Sequence, residues 1–456
     1  MANKLLAVVF SFLILAQGYG VRRAAGTWLF PAALFNLFWF FMLFFPLVIL
    51  WSVPIDPCGA GFVFVCLISF SASALVFPWH KAFDTEAKVQ PSLDLDYGFL
   101  KKALYLLSAA TLISMLLNSL AQGTTVHDLI FDLIATAAYY RDLLNDGKLD
   151  VNVWQRIGEV LVYVVATLGG LIISTFQAKW SRARVIMISF VPSVFVALAQ
   201  SSKWAMFCCL AFFYAGILTY RISQREFVLL KRGSLKKIFI FVPLLIAIVT
   251  ASFISRGLQD TNLQDPEDIN FLKQHLTMQF ASYSCAHVYA FSDWFAYTLG
   301  RQSQVHYQTD SVGYGAMTFA PIARALGDKR TFEDEDYWYE DILRGNIYTM
   351  FQGLIKDFGV SGCLLFMFGF GLACHAAFYS LLVGRFPALS ATMFIFCIVF
   401  MYSSYARSLF SWSSLYFTFV LVLVLLHWAR NASSHHAVGR IQATPDLTRP
   451  TPGVAL

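Results

Sequence analysis

Residues 28–52 read WLFPAALFNLFWFFMLFFPLVILWS, twenty-five positions without a charge, with Asn36 the one polar side chain before Ser52. At 1.5 Å of rise per residue, about twenty such residues cross the hydrocarbon core of a bilayer. The rest of the chain has the same character. Of its 456 residues 58% are hydrophobic and 13% charged, and 45 are phenylalanine; the mean hydropathy is +0.62. A soluble domain carries about 25% charged residues, so soluble enzymes, secreted disulfide modules and disordered chains are excluded. Backbone inside a bilayer must satisfy its own hydrogen bonds, and continuous apolar runs select helices over a barrel. The fold class expected is an all-α polytopic integral membrane protein.

Eleven stretches are long enough to span: 5–20, 28–52, 58–79, 99–121, 157–177, 185–202, 204–220, 238–255, 359–383, 387–406 and 409–428. The first follows Lys4 and reads as an uncleaved helix, given the ten that follow. Short loops rich in Lys and Arg stay cytoplasmic. Loop 178–184 holds Lys179, Arg182 and Arg184, and loop 221–237 holds six bases against Glu226. With both inside, 122–156 and 256–345 lie outside, and Arg385 and the tail lie inside. Four regions follow: an N-terminal bundle, 1–255, with an external amphipathic segment near 122–156; a large external loop or cap, 256–345; a C-terminal bundle, 346–428; and a disordered cytoplasmic tail, 429–456, with Pro445, Pro450 and Pro452. In the amphipathic segment Leu129, Ile130, Leu133 and Ile134 share one helical face. Six of the eight cysteines sit in apolar runs, Cys58 and Cys285 being the two expected to face outside. No C-x-x-C pair or Cys/His cluster has zinc-site spacing, so no disulfide framework, metal or cofactor is expected. The net charge of +6 is scattered over short loops, which argues against a nucleic-acid partner.

The chemistry is expected at the outer face. The ninety-residue segment 256–345 is too long for a connector, is rich in Tyr, Trp and Phe, and has thirteen acids against seven bases. Part of it, about 270–300, reads as helix. Aromatic faces stack on sugar rings while carboxylates and amides bind their hydroxyls, so the cap suits a carbohydrate; the bland alternative is that these rings form its own small core. The run 332–341 (FEDEDYWYED) is the densest candidate, its alternative being a solvated acidic loop. Lys203, Arg256, Arg344 and Arg407 sit at span ends on the same expected face, where they could hold a pyrophosphate; snorkelling to the headgroups is the competing role. The stretch from Gly345 to Gly362 reads GNIYTMFQGLIKDFGVSG. Asn346 could cap a helix starting at 347, with Asp357 about 16 Å along it. Such a helix would aim its positive end at a phosphate, and Gly359 and Gly362 would let a second helix approach closely.

Asn346-Ile-Tyr-Thr, followed by Asp357-Phe-Gly and Gly362, resembles the signature of O-antigen polymerases, the Wzy-type oligosaccharide repeat-unit polymerases. The plan of many spans and one large late loop is similar too. In that family a Ser-Arg pair often opens a mid-chain span, where this chain has Ser202-Lys203. The resemblance implies a GT-C-like, metal-independent glycosyltransferase of the bacterial inner membrane, with the large loop periplasmic. Its substrates would be undecaprenyl-pyrophosphate-linked oligosaccharides, as donor and as acceptor, embedded in membrane lipid. A polysaccharide chain-length regulator is an implied partner. The leaving pyrophosphate would need cations, for which Arg256, Arg344, Lys203 and Arg407 are the candidates. The attacking hydroxyl would need a base, for which His287 and Asp293 are candidates, with Glu340 and Asp341 in reserve. Asn346, Tyr348 and Asp357 are the motif positions. An O-antigen ligase and a lipid or polysaccharide transporter are the alternative readings.

Overall fold

The computed structural model describes all residues except 84–92, 177, 201–202, 231–232, 234–242, 244–245, 248, 251–252, 254–265, 308–311, 329, 331–334 and 443–456. Helices α1 (Ala2–Ala25), α2 (Pro31–Ile49) and α3 (Pro57–Ala72) come first, then the short α4 (Trp79–Phe83) and α5 (Tyr97–Ala121). The hairpin α6 (Val126–Phe131) and α7 (Leu133–Asn145) leads to α8 (Val153–Ile173), α9 (Lys179–Ala199) and α10 (Lys203–Ser223). Then come α11 (Pro266–Thr298), α12 (Ala320–Ala325), strands β1 (Tyr337–Tyr339) and β2 (Leu343–Gly345), α13 (Met350–Val383), α14 (Pro387–Ser403) and α15 (Ser413–Gln442).

Among the described residues nine helices are long and apolar enough to cross a membrane, and α14 is a shorter apolar helix. They correspond to ten of the eleven spans expected. The eleventh, 238–255, lies mostly outside the described residues. Hydrogen bonds show which helix ends meet. Arg225 donates to the carbonyls of Ala82 and Leu382, Thr27 to that of Phe227, and the Asp96 N–H to that of Ala429. These ends therefore share one end of the bundle. At the other end the Lys4 ammonium, 4% exposed, donates to the carbonyls of Leu50 (2.7 Å) and Val53 (2.8 Å) and to the Tyr289 hydroxyl (2.5 Å). This joins α1, α2 and α11 at the end that carries the cap. The alternation matches the order of loops expected from the basic residues.

Two close approaches fix the packing. A Cβ on Gly170 of α8 would sit 2.0 Å from the Phe213 carbonyl oxygen of α10, and one on Gly216 would sit 2.7 Å from that of Thr167. The two backbones touch because neither carries a side chain there. In α13 the chain breaks helical geometry at Gly359 (φ 71°, ψ 176°), a conformation open only to glycine. Residues Met350–Phe358 thus form a separate nine-residue arm before the long span.

Three expectations change. The helix expected near 270–300 exists and runs from Pro266 to Thr298, but its C-terminal half packs into the bundle. Tyr289, Phe291, Trp294 and Phe295 are at most 5% exposed, and Phe295 stacks on Phe62 of α3 at 4.8 Å. These rings are core, so they are removed from the set available to a sugar. The amphipathic segment is two helices, because Asp132 leaves helical geometry between them, and α6 opens with a reciprocal Thr125–Asp128 cap. The tail is helical to Gln442, since no proline interrupts it before Pro445.

The Lys4 cage gives a first test. Replacing Lys4 with Met strands the Val53 carbonyl, while the Leu50 carbonyl keeps the Tyr289 hydroxyl and the Val53 N–H as donors, so it should cost about 1–3 kcal/mol. Thermal melting of the purified protein in lipid nanodiscs checks it; an unchanged transition would make the cage incidental.

Candidate functional site

Two connectors meet at the cap end of the bundle. Residues 346–349 lead into α13, and 404–412 link α14 to α15. The Met350 N–H donates to the Ser404 carbonyl at 2.9 Å, and Trp39 Nε1 donates to Ser404 Oγ at 3.1 Å. This pins both connectors to α2. On one side of the strip lies a cavity of about 930 Å³, and on the other a cleft of about 620 Å³. Arg407 and its neighbour Ala406 line both.

The cavity is mainly aromatic and aliphatic. Phe41 and Phe45 of α2, Phe253, Phe280 and Tyr405 contribute, and Trp204 stacks on Trp412 at 5.9 Å in its wall. Four residues singled out in the sequence line it: Lys203, His287, Asn346 and Arg407. Lys203 opens α10, is 5% exposed, and places its Nζ 3.3 Å from the centre of the Phe253 ring and 5.2 Å from that of Tyr283. Aromatic faces attract a cation, and more strongly once water is removed.

His287 is 1% exposed. Its Nε2 lies 3.1 Å from the Met42 carbonyl oxygen, which can only accept. Nε2 therefore carries the hydrogen, and Nδ1 is left as a bare lone pair. Nδ1 has no partner among the described residues. Burial pushes the imidazole pKa down to about 4, so the ring stays neutral at ordinary pH. A neutral imidazole with an unused acceptor atom, lining the cavity, can accept a hydrogen bond from a hydroxyl, while burial holds its basicity down.

Asp293 lies elsewhere. Six residues beyond His287 on α11, it faces another side of the helix. Its carboxylate accepts from the N–H groups of Gln304 (2.8 Å) and Val305 (3.2 Å) and from the Tyr307 hydroxyl (2.9 Å). It ties the 303–307 loop to α11. Glu340 and Asp341 occupy the exposed turn between β1 and β2, with Glu340 at φ 45°. Arg344 is exposed on β2 and pairs with Asp336 at 3.1 Å. None of these lines the cavity. Arg256 and the first part of the acidic run, 332–334, lie outside the described residues. Among the described residues no group of three or more His, Cys, Asp or Glu could hold a metal ion.

The motif residues also take specific places. Asn346 lies before the helix rather than capping it; α13 starts at Met350 with Thr349 at the cap position. Tyr348 is buried and its hydroxyl donates to the Glu335 carbonyl, which fastens the connector to the chain before β1. Asp357 is 1% exposed and accepts from the N–H groups of Met317 (3.1 Å) and Thr318 (2.6 Å). Its job is to clamp the 312–318 loop onto the arm. Gly359 makes the kink. Gly362 leaves room for Phe358, whose Cβ would meet an added methyl at 2.5 Å, so neither glycine serves a second helix.

The polar cleft was missed. It is lined by Thr318, Thr349, Gln352 and Ser408 together with Arg324, Arg330 and Arg407. Thr349 and Gln352 fall three apart within the quoted stretch, so one helical face carrying both was the available signal. Comparison with protein-family models, with characterised proteins and with solved structures finds no match.

Proposed function

We propose that this protein is a GT-C-like membrane glycosyltransferase that joins polyprenyl-pyrophosphate-linked oligosaccharide repeat units, as an O-antigen polymerase does, at the periplasmic face of a bacterial inner membrane. The observation that carries the reading is the shared wall. An apolar cavity and a polar cleft meet at Arg407, which is the layout a substrate with a lipid tail and a sugar head requires. Phe41 and Phe45 line the cavity and are 40% and 51% exposed, as is Ile246 at 50%, so the cavity has an apolar rim through which a lipid tail could enter from the bilayer. The motif resemblance across 346–362 supports the same reading.

In this proposal the acceptor hydroxyl oxygen bonds to the anomeric carbon of the donor sugar. The bond from that carbon to the pyrophosphate oxygen breaks, and the lipid pyrophosphate leaves with the electron pair. The hydroxyl proton passes to His287 Nδ1. Arg407 and Lys203 stabilise the charge that grows on the departing oxygen. Arg407 suits this role because its planar fork binds two phosphate oxygens at once.

The test is reconstitution. Purified protein in lipid, given undecaprenyl-pyrophosphate-linked repeat units, should yield a ladder spaced by one repeat, with EDTA present or absent. Arg407→Ala should lower the rate by about 10²–10³-fold, with Arg407→Lys in between. No ladder, with transfer once a lipid A-core acceptor is added, would instead make it a ligase. No product with either acceptor would remove the transferase reading.

A further inference from the structure

Four buried polar side chains in the cleft are unsatisfied. Thr318 Oγ1, Thr349 Oγ1, Gln352 Nε2 and Ser408 Oγ have no hydrogen-bond partner among the described residues, although their residues are at most 5% exposed. All four residues line the cleft. An unmade hydrogen bond at one buried group is costly, and such groups are normally paired. Thr349 is the sharpest case. It occupies the cap position of α13, where threonine ordinarily accepts from the first turn, yet makes no cap bond. The first turn of the arm holds no acidic residue either, so its positive end is uncompensated from within.

The charge around this set is cationic. Arg324 and Arg407 line the cleft, and its one carboxylate among the described lining residues, Asp328, is held by Arg330 through contacts of 2.7 and 3.1 Å. Arg330 also donates to the Gly313 carbonyl at 3.0 Å, so the pair is fixed in place. The cleft, at about 620 Å³, is of the size that takes a ligand of many atoms, far more than a single small anion. Neutral hydroxyls and an amide suit sugar hydroxyls; a helix start flanked by arginines suits an oxyanion.

We infer that the polar cleft binds an anionic glycosyl group, its hydroxyls on Thr318, Thr349, Gln352 and Ser408 and its oxyanion at the start of α13 between Arg324 and Arg407. This rests on the glycosyl-transfer reading for the sugar and adds that the bound sugar carries a negative charge. The charge has two possible sources: a sugar carboxylate within the repeat unit, or the phosphate that joins the sugar to its lipid.

The experiment is saturation-transfer NMR with the full chain in nanodiscs, using three probes: a disaccharide containing glucuronic acid, glucose 1-phosphate, and neutral cellobiose. At least one anionic probe should bind about tenfold tighter than cellobiose. Preference for the disaccharide assigns the sugar carboxylate, and preference for glucose 1-phosphate assigns the phosphate. Gln352→Leu and Thr349→Val should each weaken that probe about tenfold, with Thr349→Ser retaining it. Without probe both variants should melt at or above the wild-type temperature, because each removes an unsatisfied buried group. Equal binding of charged and neutral probes overturns the inference. So does a lower melting temperature in both variants, which would give these side chains a structural job. The readout needs no turnover, so a missing polymer ladder leaves it standing, and a ladder without anion preference sinks only the cleft assignment.

Discussion

His287→Gln should reduce glycosyl transfer by about 10²–10⁴-fold while leaving the fold intact. The glutamine amide can reproduce the Nε2–H donor to the Met42 carbonyl, 3.1 Å away in the wild type, but it puts no acceptor where Nδ1 stands. The substitution therefore separates the two ring nitrogens. If His287 only pins α11 to α2, Gln restores that bond and activity survives. The pH dependence gives a second reading of the same residue. Burial lowers the folded pKa to about 4, against about 6.5 for a free imidazole. The imidazole is therefore neutral throughout pH 5–8, and kcat should show no acid limb from this group near 6.5. Stability behaves differently. Between about 4 and 6.5 the unfolded chain binds the extra proton and the folded chain does not, so His287 should help acid unfold the protein. Its contribution is whole above about 6.5 and falls as pH drops toward 4. Melting temperature across that window, compared with His287→Gln, measures it. A kcat limb at 6.5 in the wild type that vanishes in the variant would mean the ring is solvated, and the burial argument would fail.

The helical spans were legible because apolar runs of membrane length have few other uses, and the order of loops was legible because basic loops cluster at one end. The site was legible in part. Lys203, His287, Asn346 and Arg407 come from four distant parts of the chain and line one cavity. Lys203 and Arg407 were visible as cations at span ends, which are costly and therefore informative, His287 as a candidate base in the cap, and Asn346 as a motif position. Arg344 was read the same way and turned out exposed, because β2 carries it outward to Asp336. The sequence has no mark for the three-residue turn, 340–342, that decides which way a strand end points. The cap aromatics misled for a related reason. Tyr289, Phe291, Trp294 and Phe295 read equally well as a sugar platform or a packing face, and only the docking of α11 on α3 decides between them. The cleft was missed because Thr318, Thr349, Gln352 and Ser408 are ordinary residues. Their meaning lies in what fails to meet them.

Gly313→Ala should be the most damaging small substitution in the cap. A Cβ at Gly313 would lie 2.1 Å from Asp357 Oδ1, well inside contact, and the loop cannot swing away freely. The Gly313 N–H is tied to the Lys356 carbonyl at 2.9 Å, and the Met317 and Thr318 N–H groups are tied to the same carboxylate. The methyl must therefore displace either the loop or the Asp357 side chain. Overpacking of this kind costs about 1–3 kcal/mol, and losing the buried carboxylate's bonds costs about 1.5–3 kcal/mol more. Thr318 lines the cleft and is itself one of the two clamped residues, so transfer should fall with stability. A double-mutant cycle isolates the clamp. Asp357→Ala removes the group that the new methyl strikes, so Gly313→Ala should cost about 1–2 kcal/mol less in the Asp357→Ala background than in the wild type. Trypsin cleavage at Arg324 or Arg330 should accelerate in each single variant, since both arginines lie just beyond the clamped loop. Strict additivity in the cycle would show that the loop is held by other contacts and that the Asp357-Phe-Gly sequence serves something besides its attachment. Coupling of the expected sign would instead explain the motif by mechanics: Asp357 holds the loop, Phe358 packs into the space left by Gly362, and Gly359 turns the arm so that its start faces the cleft.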